Sequence, residues 1–240
     1  MTAGTAAAFA TPSAGARAGE YRAGFLFFSG FAIEPNQDSL FAVEVVRITL
    51  DLSPEMALEG YRQGIFPMGH PNRPEITWHR PAARGILPLQ GFHLSRSLAR
   101  TLKKGEFEVT FNRAFLQVLE GCASRESTWI TQPVRETYAE LHRRGYAHSV
   151  EVWVGGQLAG GLYGVHLGGA FFAESKFHRQ TNMSKVALFS LVQRLRFRGF
   201  SLLDVQYWTP HLSQFGVIEI PDSRYRELLR QALRSLCSFP

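Results

Sequence analysis

Two pairs of adjacent glycines, Gly155-Gly156 and Gly168-Gly169, divide the middle of the chain into three short apolar segments. Glycine pairs between such segments are typical of β-hairpin turns, because glycine adopts the positive φ angles that tight hairpins need. Residues 150–154, 157–166 and 170–174 are therefore predicted to form an antiparallel meander of three strands.

The segment after the meander has helical periodicity. Apolar residues recur at helical spacing over residues 184–198, Gly199 ends the pattern, and residues 200–206 form a further apolar strand. A strand, a crossover helix and a second strand close into a parallel, right-handed βαβ unit. Three antiparallel strands followed by this unit are typical of GNAT-like acyltransferase folds. The sequence thus predicts a mixed α+β class, with a mostly antiparallel sheet and one βαβ crossover.

The amino-terminal half is predicted to contain a smaller unit. Ser53 and Pro54 form a typical helix start, and Gly64 ends that helix. Residues 67–88 contain five prolines and no steady period, which indicates a loop or short strands. We place a boundary near Pro88, with a small amino-terminal domain over residues 25–88 and a GNAT-like catalytic domain over residues 89–240.

Residues 1–24 hold nine alanines and four glycines without an apolar period. Such a composition cannot bury enough surface to order itself, so we predict a disordered extension. A signal peptide is the alternative, since Arg17 and Arg22 precede a short apolar run. That run is brief and its basic residues come late, which argues against secretion.

Charge and cysteine content exclude several classes of protein. The chain carries a formal net charge of +6 and two distant cysteines, Cys122 and Cys237. Neither a disulfide framework nor a zinc ribbon is available, and a reducing cytoplasm fits. The longest apolar run, residues 24–33, is far shorter than the roughly 20 residues that span a bilayer. We therefore expect no membrane partner.

The positive charge is concentrated in one stretch. Residues 76–105 contain no acidic residue and six cations that could face phosphates: Arg80, Arg84, Arg96, Arg100, Lys103 and Lys104. A solvated helix face is the alternative interpretation.

Shorter elements surround that stretch. Ser95 is predicted to cap a basic helix that ends at Gly105, and residues 107–111 alternate as a strand. Asn112 is predicted to cap the next helix, and residues 134–141 indicate a third.

Nine short motifs follow one another along the chain with consistent spacing. They are Gly64-Ile65-Phe66-Pro67, Ser95-Arg96-Ser97-Leu98, Gly121-Cys122-Ala123, Thr128-Trp129-Ile130, Ala147-His148-Ser149-Val150-Glu151-Val152-Trp153, Gly160-Gly161-Leu162-Tyr163-Gly164-Val165, Phe172-Ala173-Glu174-Ser175-Lys176-Phe177, Ser184-Lys185 and Leu203-Asp204-Val205-Gln206. Together they closely resemble the motifs of the bacterial leucyl/phenylalanyl-tRNA-protein transferases. The resemblance covers about residues 51–220. It implies a cytoplasmic, monomeric enzyme that moves Leu, Phe or sometimes Met from its tRNA onto proteins beginning with Arg or Lys, which marks them for degradation.

The chain departs from the family pattern at several positions. Met68 stands where an aromatic residue is usual, Lys176 replaces a methionine, and Val205 occupies a variable place. Residues 43–50 replace a glycine-rich segment. The contact that the missing aromatic residue would make with the tRNA end is therefore in question.

The resemblance assigns the chemistry to three residues. Gln206 would hold the attacking amine, Asp204 would orient it and relay the proton, and Glu174 would bind the amino group of the aminoacyl ester. The residues themselves indicate that Asp204 and Gln206 share one face of a strand, because they are two apart. The structural alternatives are that Asp204 only caps a turn and that Glu174 only pairs with a surface lysine. No nucleophile motif or metal-ligand spacing occurs, so neither a metal nor another cofactor is expected.

Sorting Leu and Phe from smaller side chains requires a shaped apolar pocket, since each methylene discriminates by only about 1–3 kcal/mol. The positions that the resemblance matches to the pocket are Leu162, Phe171, Leu188, Leu191 and Leu203, with Trp129 near the terminal adenosine. All but Trp129 could equally be ordinary core.

Two rival functions remain at this point. An acetyl-CoA-dependent N-acetyltransferase has a similar fold, but residues 177–182 lack the glycine-rich turn that binds pyrophosphate. A non-catalytic RNA-binding module fits the charge but leaves Asp204 and Gln206 unexplained. The resemblance favours an enzyme whose partners are the acceptor stem and 3′ end of aminoacyl-tRNA.

Overall fold

A small three-stranded sheet forms the amino-terminal part of the fold. The computed structural model describes residues 43–125 and 127–240, so the predicted extension and the start of the predicted small domain lie outside the described residues. Strands β1 (Val43–Thr49), β2 (Phe66–His70) and β3 (Arg73–Pro81) pair antiparallel in the order β1-β3-β2. Helix α1 (Pro54–Arg62) begins as predicted, because Ser53 Oγ accepts the Met56 N–H at 3.2 Å.

The remaining strands form one seven-stranded sheet. In chain order they are β4 (Ala83–Ile86), β5 (Glu108–Phe111), β6 (Ala147–Val154), β7 (Gln157–Leu167), β8 (Ala170–His178), β9 (Leu202–Gln206) and β10 (Ile218–Pro221). Their spatial order is β10-β4-β9-β8-β7-β6-β5, and only the β8–β9 pair is parallel. The mixed α+β class with one βαβ crossover is therefore confirmed.

Helices cover both faces of this sheet. They are α2 (Arg96–Lys104), α3 (Phe115–Ala123), α4 (Gln132–Arg143), α5 (Met183–Phe197), α6 (Pro210–Ser213) and α7 (Asp222–Ala232). Buried side chains of α2, α5 and α6 share one apolar cluster, and those of α1, α3, α4 and α7 share another. We call the two sides the α5 face and the α1 face. No helix among the described residues is long and apolar enough to cross a membrane.

The meander, the crossover helix and the strand after it all form where the sequence predicts them, within a few residues at their ends. Two expectations need correction. The first is the boundary placed near Pro88: strand β4 lies before Pro88 but belongs to the seven-stranded sheet, so the chain leaves the small sheet at Ala82. Asn112 does not cap α3: its φ is +60°, and its Oδ1 accepts the Ser149 N–H at 3.1 Å, which ties β5 to β6.

Candidate active site

The end of β9 carries two polar side chains into the α1 face. Asp204 is fully buried, and Gln206 is the last residue of the strand. Gln206 has a φ of +61°, and its backbone N–H donates to Asp204 Oδ1 at 2.9 Å. Since a non-glycine residue rarely adopts positive φ, this hydrogen bond helps hold a conformation that would otherwise be unfavourable.

Asp204 forms a buried ion pair with Arg84 from β4. Arg84 Nε donates to Asp204 Oδ1 at 2.9 Å, and Nη2 donates to Oδ2 at 2.7 Å. The Tyr225 hydroxyl, from α7, donates to Oδ2 at 2.6 Å. Both carboxylate oxygens therefore already accept two short hydrogen bonds, which leaves this group little capacity to take a proton.

The location of Arg84 corrects one sequence expectation. The side chain is only 1% exposed, so it cannot face tRNA phosphates. Arg84 Nη1 donates to the Gly64 carbonyl at 3.1 Å, and the guanidinium of Arg84 lies over the rings of Phe66 and Tyr225. Burial lowers the pKa of Arg84, but the charge and hydrogen bonds of Asp204, together with Tyr225 and Tyr207, raise it overall, so this guanidinium stays charged.

Glu174, on β8, is the second buried carboxylate. Its Oε1 accepts the Tyr61 hydroxyl at 2.8 Å and the Gln206 amide Nε2 at 3.2 Å, and its Oε2 accepts the Tyr138 hydroxyl at 3.2 Å. The two tyrosine hydroxyls also contact each other. Burial raises the pKa of Glu174 to about 8; the Tyr61 hydrogen bond opposes this shift and the Asp204 charge adds to it. Near neutral pH this group can hold or release a proton.

Glu174 and Gln206 lie where β8 and β9 stop pairing. The parallel register covers only Ala170–Phe172 against Leu202–Asp204. Beyond it, Gln206 pairs on its other side with Gly85 of β4. In sheets with parallel strands, ligands bind beyond the carboxyl ends of those strands. The Glu174–Gln206 hydrogen bond spans this position.

The five predicted pocket residues come together, but not beside these carboxylates. Each is at most 1% exposed, and all lie in the cluster of the α5 face: Leu162, Phe171, Leu188, Leu191 and Leu203. Trp129 is half-buried against the other cluster, and its carbonyl accepts the Gly69 N–H at 3.1 Å. The sheet therefore separates the predicted pocket from the polar network and from Trp129.

Lys176 is buried at the edge of that apolar cluster. It is 4% exposed, stands opposite Leu162 in the β7–β8 register, and its Nζ lies 5.2 Å from the centre of the Phe215 ring. Burial, with the charges of Lys185 and Arg125, lowers the pKa of Lys176 to about 7. This departure from the family pattern therefore places a titratable group next to the predicted pocket.

The remaining predicted phosphate-facing residues are accessible. Arg96, Arg100, Lys103 and Lys104 are exposed on α2, and Arg80 is partly exposed on β3. The four residues of α2 form the basic surface that the sequence predicts.

Sequence reasoning missed the residues that hold the carboxylates. Tyr61, Tyr138 and Tyr225 come from three different helices and occupy helical positions that also suit ordinary core residues. No local pattern distinguishes a tyrosine whose hydroxyl binds a carboxylate. Among the described residues, no group of three His, Cys, Asp or Glu side chains is arranged to hold a metal ion.

Comparison with known proteins identifies similar chains. Residues 86–230 match the family model of leucyl/phenylalanyl-tRNA protein transferase, and residues 50–82 match the model of its N-terminal domain. A leucyl/phenylalanyl-tRNA--protein transferase of Ruegeria pomeroyi is 52% identical over 191 residues, which are 79% of this chain and 91% of that protein. One from Salinibacter ruber is 51% identical over 183 residues, which are 76% of this chain and 81% of that protein.

Similarity to solved structures is weaker. A ribosomal-protein-alanine N-acetyltransferase from Brucella melitensis matches 45% of this chain and 84% of its own, at 15% identity and a TM-score of 0.34. The L-PGS structure from Bacillus licheniformis matches 69% of this chain and 57% of its own, at 13% identity and a TM-score of 0.38.

Proposed function

This chain belongs to the leucyl/phenylalanyl-tRNA protein transferase family, and we propose that it transfers Leu or Phe, and also Met, from tRNA to proteins that begin with Arg or Lys. It is an aminoacyltransferase that acts on protein amino termini. The observation that carries the assignment of the site is the hydrogen bond between Glu174 and Gln206 beyond the last β8–β9 pair.

In this proposal, Glu174 receives the α-amino group of the aminoacyl ester. A carboxyl whose pKa lies near 8 can accept a proton from, or share one with, an amine of similar pKa. Tyr61 and Tyr138 hold both oxygens in place. This arrangement favours an esterified amino acid with a free amine, rather than an acyl group without one.

Gln206 is proposed to align the attacking amine. Because its Nε2 donates to Glu174, its Oε1 is the amide atom that can accept an N–H from the acceptor protein. Asp204 and Arg84 fix the backbone of Gln206 and so position it. We therefore assign Asp204 a positioning role and drop the proton relay expected from the resemblance, since its oxygens are already hydrogen-bonded.

The bond changes need no covalent enzyme intermediate. The neutral α-amine of the acceptor attacks the ester carbonyl, a C–N bond forms, and the bond to the ribose oxygen breaks. The proton lost by the amine ends on the ribose hydroxyl that leaves. The ester is already activated and the amine is a good nucleophile, so alignment and proton transfer supply most of the catalysis.

The donor side chain is proposed to insert among the five apolar residues of the α5 face, and Trp129 is proposed to contact the terminal adenosine. Those five residues are closed over one another in this structure. Entry of a Leu or Phe side chain therefore requires them to move apart. The β8–β9 pairing ends at Phe172 and Asp204, one residue beyond the Phe171–Leu203 pair, so the strands are free to separate from that point on.

The cation-rich face of α2 is proposed to contact phosphates of the acceptor stem. Such contacts are sensitive to salt and largely blind to sequence. We also infer that the protein acts in the cytoplasm, where aminoacyl-tRNA is made, and as a monomer, and that the transferred residue marks its protein for degradation.

Incubation with labelled phenylalanyl-tRNA and a peptide beginning with Arg, with labelled acetyl-CoA as the competing donor, tests the proposal. We expect label from the tRNA on the peptide's α-amino group and none from acetyl-CoA. A peptide that differs only by an acetylated amino terminus is the control. Transfer from acetyl-CoA would favour the N-acetyltransferase alternative, and tRNA binding without transfer would favour an RNA-binding module.

A further inference from the structure

A groove of about 560 Å³ lies between the end of α1, strand β3 and helix α7. Four arginines line the groove: Arg62, Arg80, Arg226 and Arg230. The other lining residues are Gln63, Ser223, Leu229 and a single acidic residue, Glu227. This groove is separate from α2, because α1 and α7 pack on the α1 face and α2 packs on the α5 face.

The charges in the groove are only partly balanced. Glu227 is paired with Arg224 at 2.8 Å, and Arg226 is paired with Asp222 at 2.9 Å. Arg62 has only a 3.7 Å contact with Glu59. Among residues 45–125 and 127–240, whose side chains are described, neither Arg80 nor Arg230 has a carboxylate within 4.0 Å. Arg230 Nε donates to the Arg226 carbonyl at 3.2 Å. The groove therefore presents guanidinium N–H donors that no described carboxylate occupies.

The groove is connected to the candidate active site through one short backbone segment. Arg80 donates to the Gln63 carbonyl at 3.2 Å, and the next carbonyl, of Gly64, accepts from Arg84 at 3.1 Å. Arg84 in turn holds Asp204. A ligand in the groove would thus contact the wall that supports the ion pair beneath Gln206.

We propose that this groove binds phosphodiester groups of the donor tRNA, as a second contact site in addition to α2. Guanidinium groups match phosphate geometry through paired N–H donors, and four of them around one groove are typical of a site for a polyanion. The volume accommodates a phosphate with its ribose. The proposal rests on the proposed function, since it takes the tRNA to be the substrate.

The test compares two double variants that remove the same charge. Arg62→Gln with Arg230→Gln removes two groove cations that are exposed and weakly paired. Arg143→Gln with Arg234→Gln, both exposed and outside the groove, is the matched control. Binding of phenylalanyl-tRNA is measured against salt concentration, after thermal unfolding has shown that each variant retains its fold.

We expect the groove variant to lower the slope of log affinity against log salt by about one to two, because each lost phosphate contact removes close to one released counterion. The control variant keeps the wild-type slope. Arg62→Lys with Arg230→Lys should retain most of it, since lysine also neutralises a phosphate. A groove variant that behaves like the control overturns the inference, and so does loss of binding in the lysine variant equal to that in the glutamine variant.

Inorganic pyrophosphate separates the two sources of phosphate. Pyrophosphate should compete with tRNA for the groove at millimolar concentration and lose that effect in the groove variant. Pyrophosphate binding with no change in the tRNA slope would make the groove a site for small anions and overturn the inference. If wild-type protein neither binds nor uses phenylalanyl-tRNA, the proposed function fails first, and that outcome is distinct from a failure of the groove alone.

Discussion

Both faces of the seven-stranded sheet bury an apolar cluster, and the α1 face also buries a network of charged and polar side chains. The α5 face is built mainly from aliphatic and aromatic residues of β7, β8, β9 and α5. The α1 face, behind the same strands, holds two carboxylates, an arginine and three tyrosines joined by hydrogen bonds. An apolar face is stabilised by burial, whereas buried charges need partners of fixed geometry. The faces should therefore respond differently to substitution.

Replacing Arg84 should have the largest effect. Arg84→Met leaves Asp204 buried without its counter-ion, and breaking a buried pair in this way costs about 3–5 kcal/mol. Urea unfolding measures the loss. Arg84→Met combined with Asp204→Leu should recover much of the stability, because no uncompensated charge remains. Arg100→Met, on the exposed face of α2, is the control and should change stability by less than about 0.5 kcal/mol. If Arg84→Met and Arg100→Met lower the free energy of unfolding equally, the buried ion pair contributes no more to stability than an exposed arginine does.

Leu191→Ala probes the other face. Leu191 is fully buried, and truncation of a buried leucine costs about 2–5 kcal/mol through lost burial and the cavity that remains. Because apolar neighbours can relax into the cavity, we expect a value near the low end, measured by the same unfolding experiment. A loss larger than that of Arg84→Met would reverse the comparison between the faces.

The sequence predicted the α5 face far better than the α1 face. Apolar periodicity and the glycine pairs are local signals, and they were enough to locate the meander and α5. The partners of Asp204 are distant: Arg84 lies 120 residues away in the chain, and Tyr61 is 113 residues from Glu174. Nothing in the sequence around Arg84 separates a buried counter-ion from a surface cation. The last strand and helix, β10 and α7, were not predicted at all.

Gln206→Leu tests the chemical consequence of the polar network. The variant loses the acceptor proposed to align the amine, while Asp204 and Arg84 remain paired. We expect single-turnover transfer to slow by about a hundredfold, at the low end of the range for general acid–base assistance, with unchanged tRNA affinity. Val205→Leu, directed to the α5 face, is the neighbouring control. A variant that transfers at the wild-type rate would remove Gln206 from the mechanism.

The smallest effect concerns the pH dependence of stability, and Glu174 sets its sign. Burial raises the pKa of this carboxyl from its ordinary 4.5 to about 8, so the folded protein holds a proton that the unfolded chain releases. Between about pH 4.5 and pH 8 the native state therefore binds more protons than the unfolded state, and stability falls as pH rises.

Glu174→Gln removes this titration while keeping the size of the side chain. The stability of the variant relative to the wild type should rise across that pH window by about 1 kcal/mol or more, which corresponds to about 2–4 °C in Tm for a chain of this size. Glu219→Gln, on the partly exposed strand β10, serves as control and should give a smaller change. Thermal unfolding at pH 5 and pH 8 measures the difference between the two variants. A relative stability that stays constant, or falls, as pH rises would mean that Glu174 is ionised throughout, and the proton-sharing role proposed for it at the amine would be wrong.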